Sequence, residues 1–573
     1  MKWNIAATNA QESAALASAL GISRLAARVL AARGYADPTA ARRYLSPSAA
    51  DLHDPFLLAG MDAAAERLAL AVERKEPILL YGDYDVDGTS AVVLLKKTLE
   101  QAGGITSCFV PHRIRDGYGM KAEAVEEANA KGVRLIVSVD TGIRANDVVR
   151  HATGLGIDVI VTDHHLPEEE LPPALAVLNP NRPDCPYPDK NLCGAAVALK
   201  LAEGLLHRLG WPAAKRERFV DSLLKLAAIA TVADVVPLVG ENRVIVKRGL
   251  EGLRDVRNPG LRALLAVAGI EEGAVPSARD VGFRIGPRIN AAGRMASAND
   301  VIELFCTSDD ARAREIAAQL HELNTDRQQT EAGIVEAIWE QCSEVPVTDS
   351  DAALIFSGNG WHRGVVGIVA SRVVERYHRP AIVLAVDPET GVAHGSGRSI
   401  PAFHLLEALE TMPDLFTKFG GHRQAAGVTL PANKVDEFRE RFRAYAAARL
   451  TADDLEPVID IDAEAELSEI AGRAVADLLN LAPFGYGNSA PVLAVRGLEL
   501  AADPEIKNEK HVFFRFRGTG RPFRAKAWNY AAKLNGLAAG ARVDVAMQIE
   551  DDSYSAARGY DPWQAIVKDI RPL

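Results

Sequence analysis

Four short apolar runs, ILLY from Ile78, RLIVSV from Arg134, DVIVT from Asp158 and LAVLN from Leu175, alternate with stretches of helical spacing such as SAVVLLKKTLEQAG from Ser90. A strand that is apolar throughout has no polar face to turn to water, so such runs must lie side by side in a parallel sheet with helices over both faces. The chain is therefore predicted to be α/β at this point. In an open parallel sheet the carboxyl ends of the strands line one crevice, and ligand-binding residues belong there.

The residues at those ends are acidic. ILLY runs into GDYDVDGTS, which sets Asp83, Asp85 and Asp87 at alternate positions before Gly88 turns the chain into the next helix. RLIVSV ends in Asp140-Thr141-Gly142, and DVIVT ends in Asp163-His164-His165. Asp234 follows as an isolated acid in LAAIATVADVVPL, where burial would be costly unless the group is paired or metal-bound. One strand-end aspartate is usually a helix cap. This many carboxylates with two histidines repel one another unless a cation sits among them. Carboxylate and imidazole together favour manganese, iron, cobalt or zinc over magnesium or calcium, with manganese the first choice.

At 573 residues the chain needs roughly three to five compact units. Residues 1–50 are expected to be a helical lead-in, with Leu20, Leu25, Val29 and Leu30 at helical spacing, and 51–308 to hold the parallel sheet. Residues 309–343 have the pattern of one long connecting helix, capped by aspartates at its start. A second α/β unit is expected over 350–450, and strand-like runs broken by glycine over 456–573 suggest a small β-barrel.

GDYDVDG, VDTG, TDHH and ATVADVVPL resemble, in order, spacing and strand context, the four phosphoesterase motifs of the DHH family, which is named for the triplet at Asp163-His164-His165. The resemblance implies a metal-dependent phosphodiesterase with two divalent ions, Mn2+ first and Mg2+ second. It implies Asp85, Asp87, Asp140, His164 and Asp234 as ligands, with Asp140 bridging, and Asp83, Asp163 and His165 as catalytic or supporting neighbours. Two such ions hold an attacking hydroxide and the charge developing on the leaving oxygen. His165 is then the group that polarises the phosphate or donates a proton.

Other segments extend the likeness. PHRIRDGYG and GFRIGPRINAAGRM present forked donors to phosphate, Arg113, Arg288 and Asn290 above all. WHRGVVGIVASRV, HGSGRS and KFGGHRQAAG resemble the DHH-associated substrate-binding domain, with Ser371, Arg372, Arg398, Gly421 and His422 as anion contacts. The C-terminal runs resemble the OB-fold of the single-strand-specific exonuclease branch. Arg517, Arg524, Lys526 and Trp528 are its candidate nucleic-acid contacts, while some of Phe513, Phe514 and Phe516 face its core.

The net charge of -11 argues against nucleic acid only until it is localised. Between Lys507 and Lys526, Lys507, Lys510, Arg515, Arg517, Arg521, Arg524 and Lys526 face the single acid Glu509, interleaved with phenylalanines. That mixture suits single-stranded DNA. The resemblance implies 5′-to-3′ removal of 5′-mononucleotides from single-stranded DNA in recombination and repair. The alternative is a DHH phosphodiesterase for short oligoribonucleotides or cyclic dinucleotides. A non-catalytic binding protein on this fold is disfavoured because every expected metal position is filled. By analogy a single-strand-binding protein and a RecQ-like helicase are expected partners, and a monomer is the expected state. Five cysteines without a CxxC pair suggest reduced thiols, no apolar run approaches a bilayer span, and Asn9, Gln11 and Glu12 break any signal-like stretch, so a cytoplasmic location is expected.

Overall fold

Five parallel strands stand in the order Ile105–Phe109, Pro77–Gly82, Leu135–Val139, Asp158–Thr162, Ala176–Leu178. They belong to a computed structural model that describes all residues except 114, 118, 519–521, 535 and 553–561, so Arg521 lies outside the described residues. The chain leaves Pro77–Gly82 towards one edge and then crosses back to Leu135–Val139 on its other side. That reversal makes a switch point, the place where an open α/β sheet opens a crevice. Register does the rest. Gly82 is level with Val139 and Val139 with Thr162, so the next residues, Asp83, Asp140 and Asp163, leave the sheet at one height.

Helices cover both faces, as strands buried on two sides require. On one face Leu79, Tyr81, Ile136, Val159 and Val161 pack with Val125, Val149 and Ala152 of the helices Ala122–Ala130 and Asn146–Gly154. On the other lie the Val86–Gln101 and Gly194–Arg208 helices, both buried along most of their length.

The molecule divides into two units. The larger comprises Trp3–Ile289, Ala298–Ala317 and Ile459–Leu573. Besides the parallel sheet it contains a seven-stranded mixed sheet, ordered Ala463–Glu464, Val492–Glu499, Arg542–Asp551, Trp563–Pro572, Phe523–Ala527, His511–Phe516, Glu505–Lys507. Its inner face carries Phe514, Phe516, Val543 and Met547, and these share one core with Leu16, Leu25, Val29, Leu30 and Tyr44 of the lead-in helices Ala10–Leu20, Arg24–Ala32 and Pro38–Leu45. Burying each such side chain contributes about 1.5–3 kcal/mol. The lead-in is thus a layer on the C-terminal sheet.

The smaller unit, Met1–Lys2, Asn290–Ser297 and Ala318–Val458, has a five-stranded sheet ordered Lys418–Gly421, Ala425–Pro431, Val392–Arg398, Ala381–Asp387, Leu354–Asn359. Phe403, Phe438 and Phe442 fill its core beneath the Val435–Ala447 helix. The helix Asp310–Glu344 runs 35 residues without a break, about 50 Å at 1.5 Å per residue. No single helix among the described residues is long and apolar enough to cross a membrane.

Candidate metal centre

Each strand-end acid is fixed differently. Asp85 caps the Val86–Gln101 helix, its Oδ1 accepting from the Gly88 amide at 3.0 Å. Asp87, fully buried two residues later, accepts from the amides of Gly194 (2.6 Å) and Ala195 (2.7 Å), the first two residues of another helix. Those amides and the positive end of the helix hold its carboxylate in place. Asp140 has a φ of 58°, a conformation that non-glycine residues adopt only when the surroundings impose it. Its amide donates to the Thr162 carbonyl at 2.9 Å, which ties the bend to the neighbouring strand.

Asp163 is the hub of the third strand end. Its Oδ1 accepts from the amides of His164 (2.8 Å) and His165 (3.1 Å) and from His165 Nδ1 (2.7 Å), and its Oδ2 accepts from the Ile143 amide (3.0 Å). Burial alone would raise this carboxyl, but the His165 hydrogen bond and the histidine charges outweigh it and hold the group below the usual range. The same bond raises His165 despite burial. Burial lowers His164, although Asp87 pulls the other way, and this leaves the imidazole neutral and able to ligate.

The side chains converge. His164 Nε2 stands 3.2 Å from Asp140 Oδ1, 3.6 Å from Asp234 Oδ2 and 3.8 Å from Asp87 Oδ2, and His165 Nδ1 is 3.9 Å from Asp140 Oδ1. Three sets of donors each gather within 4.8 Å: Asp140, His164 and His165; Asp87, His164 and Asp234; Asp83, Asp85 and Asp140. All eight strand-end and helix-end candidates therefore lie in one cluster or directly against it. Neighbouring donors around an octahedral ion with bonds of about 2.1 Å stand about 3.0 Å apart and opposite ones about 4.2 Å, so the measured separations fit a shared cation.

Unpaired atoms supply an independent test of fit. Asp83 Oδ1, Asp140 Oδ1, His164 Nε2 and Asp234 Oδ2 are buried without a hydrogen-bond partner among the described residues. Such groups are expensive to leave unsatisfied. Burial first, and then the neighbouring carboxylates, pushes Asp83, Asp140 and Asp234 well above the ordinary carboxyl range, and burial also raises Asp87. These residues fit a divalent cation.

Sequence reasoning missed the layer behind the cluster. Asn179 Nδ2 donates to the His165 carbonyl at 2.8 Å and Asn181 Nδ2 to that of His164 at 2.6 Å, which locks the histidine pair. Gly194 is required for space, since a Cβ there would lie 2.6 Å from the Asp140 Cβ. The NPN run after LAVLN was a signal in plain view for the asparagines, but nothing local marks Gly194.

The candidate substrate contacts lie in three places. In the larger unit Arg113 stacks over Tyr84 at 4.9 Å, beside the acidic loop, and Arg288 is half-buried and donates to the Arg284 carbonyl. Asn290, on the same Gly286–Met295 helix, is already the first residue of the smaller unit's 290–297 segment. In the smaller unit Ser371 donates to the Gly367 carbonyl at 3.3 Å, and a Cβ on Gly367 would meet Ser396 Oγ at 2.9 Å and Arg398 Nη2 at 3.4 Å. Ser371, Ser396 and Arg398 are thereby grouped around the start of the Val366–Tyr377 helix. Gly421, with φ 149°, allows the hairpin to Ala425, and the His422 amide donates to the Ala425 carbonyl at 2.8 Å. Arg372 is engaged by Glu331 (3.0 Å) and Glu375 (3.2 Å), which makes an anion contact dependent on releasing them.

On the C-terminal sheet the outward residues of paired strands form one face. Phe513 pairs with Lys526 and Arg515 with Arg524. Lys507 stands 4.7 Å over the Phe513 ring, and Trp528 is 46 % exposed against His511. Arg517 is paired with Glu499 at 2.9 Å.

Known proteins match along the whole chain. Family models match for the DHH family, N-terminal domain, over residues 77–231, for the DHHA1 domain over 350–448 and for the RecJ OB domain over 461–569. The single-stranded-DNA-specific exonuclease RecJ of Bacillus subtilis is 36% identical over 95% of this chain and 68% of its own length. The RecJ of Dickeya dadantii is 37% identical over 91% of this chain and 92% of its own length. The crystal structure of Thermus thermophilus RecJ in complex with Mn2+ superposes with a TM-score of 0.84 at 31% identity, covering 100% of this chain and 79% of that one; its Mg2+ complex gives 0.79 at 29%, with 78% of that chain covered.

Proposed function

This chain belongs to the RecJ family of single-stranded-DNA-specific exonucleases, and on that premise we propose that it digests single-stranded DNA from the 5′ end, releasing 5′-mononucleotides, in recombination and repair. It is a metal-dependent phosphodiesterase. The observation that carries the reading is the set of buried ligand atoms, Asp83 Oδ1, Asp140 Oδ1, Asp234 Oδ2 and His164 Nε2, that lack a hydrogen-bond partner among the described residues at the switch point of a DHH sheet. The small-substrate alternative is not favoured, because the likeness to long-strand exonucleases runs through the C-terminal 461–569 region as well.

The cations are two, Mn2+ by preference and Mg2+ in its place, held by Asp85, Asp87, Asp140, His164 and Asp234. When bound they supply a nucleophilic hydroxide at neutral pH and neutralise charge developing on the phosphate. The chain's own residues do the rest. The amides of Gly194 and Ala195 aim Asp87, and Asp163, accepting from His165 Nδ1–H, favours the protonated imidazolium, whose Nε2–H can hand a proton to the departing oxygen. Arg113, Arg288 and Asn290 anchor backbone phosphates, and Ser371, Arg398, Gly421 and His422 receive the 5′ end. Arg524, Lys526 and Trp528 lead the strand in by charge and stacking. The protein acts as a cytoplasmic monomer, supplied with unwound strands by a helicase of the RecQ kind and by single-strand-binding protein.

Digestion of long 5′-labelled and 3′-labelled single strands, with a duplex control, in Mn2+ or in EDTA, tests this with wild type and Asp140→Ala. Mononucleotides released from the 5′ end of single strands, and lost in EDTA and in the variant, are expected. Release from the 3′ end would reverse the polarity, and cleavage confined to very short oligonucleotides would restore the small-substrate alternative.

A further inference from the structure

The turn that carries Asp234 is held in an unfavourable shape. Asp234 ends the Ala213–Ala233 helix, and Val235, a β-branched residue 62 % exposed, follows with φ at 59°. Left-handed backbone at such a residue persists only where surrounding contacts impose it. The Leu238 amide ties the far side of the turn to the Tyr486 carbonyl at 2.8 Å, and a side chain, Asn242, near the start of the Gly240–Gly252 helix and fully buried, holds it from within. Its Nδ2 donates to the Pro237 carbonyl at 3.1 Å and to the Asn191 carbonyl at 2.6 Å. Two acceptors facing one end of the side chain fix which end is the donor.

Those two carbonyls belong to different parts of the metal centre. Pro237 lies three residues after Asp234, and Asn191 lies three residues before Gly194, whose amide with that of Ala195 holds Asp87. One amide group thus clamps the turn bearing Asp234 to the loop that leads into the Asp87 cradle. Asn242 is itself pinned on both sides. Glu241 takes Lys200 at 2.6 Å, the Tyr187 hydroxyl at 2.5 Å and the His53 amide at 2.9 Å, and Arg243 donates to the carbonyls of Tyr44 (2.7 Å) and Ala482 (2.8 Å). Three consecutive buried polar residues, each committed to a different segment, are costly unless their geometry serves a purpose.

We infer that Asn242 is a positioning residue for the metal centre, setting the spacing between Asp234 and Asp87 by bridging the Pro237 and Asn191 carbonyls. The inference rests on the metal-dependent reading above. It is tested by titrating the full chain with Mn2+ while counting free ion by electron paramagnetic resonance, in wild type, Asn242→Leu, Asn242→Ser and, as a reference, Asp234→Asn. Leucine keeps the volume without the donor, and serine keeps one donor on a side chain too short to bridge both carbonyls. Both variants are expected to bind Mn2+ on the order of ten- to a hundredfold more weakly. Excess Mn2+ should restore kcat on single-stranded DNA while KM for the DNA stays at the wild-type value, a pattern that a general loss of fold does not give. Wild-type Mn2+ affinity in either folded variant overturns the inference, whatever its metal-free Tm. A wild type that binds no Mn2+ sinks the metal-dependent reading itself, so the two failures are distinguishable.

Discussion

A methyl group on Gly194 would sit 2.6 Å from the Asp140 Cβ, closer than carbon atoms approach. Gly194→Ala must therefore push Asp140 or the helix start aside, at about 1–3 kcal/mol for overpacking. Both the denaturation midpoint and the Mn2+ affinity should fall, and a variant that keeps wild-type Mn2+ affinity would detach Asp140 from metal binding. The carboxyls also predict a pH dependence. Asp83, Asp140 and Asp234 are raised by burial and then by the charges of Asp85 and Asp87, and a group whose folded value is raised favours folding only while protonated. That contribution is complete below the ordinary carboxyl value and is lost as pH climbs through the raised one, so these three groups contribute less to the stability of the metal-free chain as pH rises. A cation needs these groups ionised, so the gain in Tm on adding Mn2+ should grow from about pH 5.5 to about pH 8. A gain that stays flat across that range would mean that Mn2+ binds elsewhere. These acids were legible in the sequence because parallel strands carry their carboxyl ends to one edge. Asn179, Asn181, Gly194 and Asn242 were not read as site residues, since their roles depend on contacts made only when distant segments meet: Gly194 meets Asp87 across 107 positions.

At the level of elements, the strand His511–Phe516 separates stability from binding by alternation. Phe514 is 1 % exposed within the shared core, so Phe514→Ala should cost about 3–5 kcal/mol, read as a drop in the chemical denaturation midpoint. Trp528, on the outward side, should behave oppositely. Trp528→Ala should leave the midpoint within experimental error and weaken single-stranded DNA by about 1–3 kcal/mol in fluorescence anisotropy, the usual worth of one stacked base. Unchanged affinity would remove Trp528 from the DNA path. The in-and-out pattern of this strand was legible from VFFRFRG alone. The destination of the lead-in helices was not. Leu20, Leu25, Val29 and Leu30 announce a buried stripe, but a stripe does not say what covers it, and here Phe514, Val543 and their neighbours on strands some five hundred residues later do.

For the whole molecule the question is how a chain of net charge -11 holds a polyanion. Attraction must be local, because at physiological salt a charge is screened beyond about 8 Å. On the outward C-terminal face Arg517 is matched by Glu499 and both Lys507 and Arg515 by Glu505, whereas Arg524 has no ion-pair partner among the described residues and Lys526 lies 3.9 Å from Asp552. If this face carries the DNA, as proposed, Arg524 would release the most counterion, since the others would exchange an existing partner for a phosphate. Each phosphate contact on a single strand contributes about 0.7 to the slope of log K against log salt. Arg524→Ala should lower that slope by about that amount, Arg517→Ala should lower it by less, and kcat at saturating DNA should be unchanged in both. Equal changes in the two would mean that Glu499 swings away from Arg517 when DNA binds, and no change in either would move the DNA path off this face. Point substitutions are the right instrument, because cutting the chain before Ile459 would strip the cover from Leu16, Leu25 and Leu30 and expose an apolar layer, so that a truncated protein would report its own aggregation before it reported lost DNA contacts.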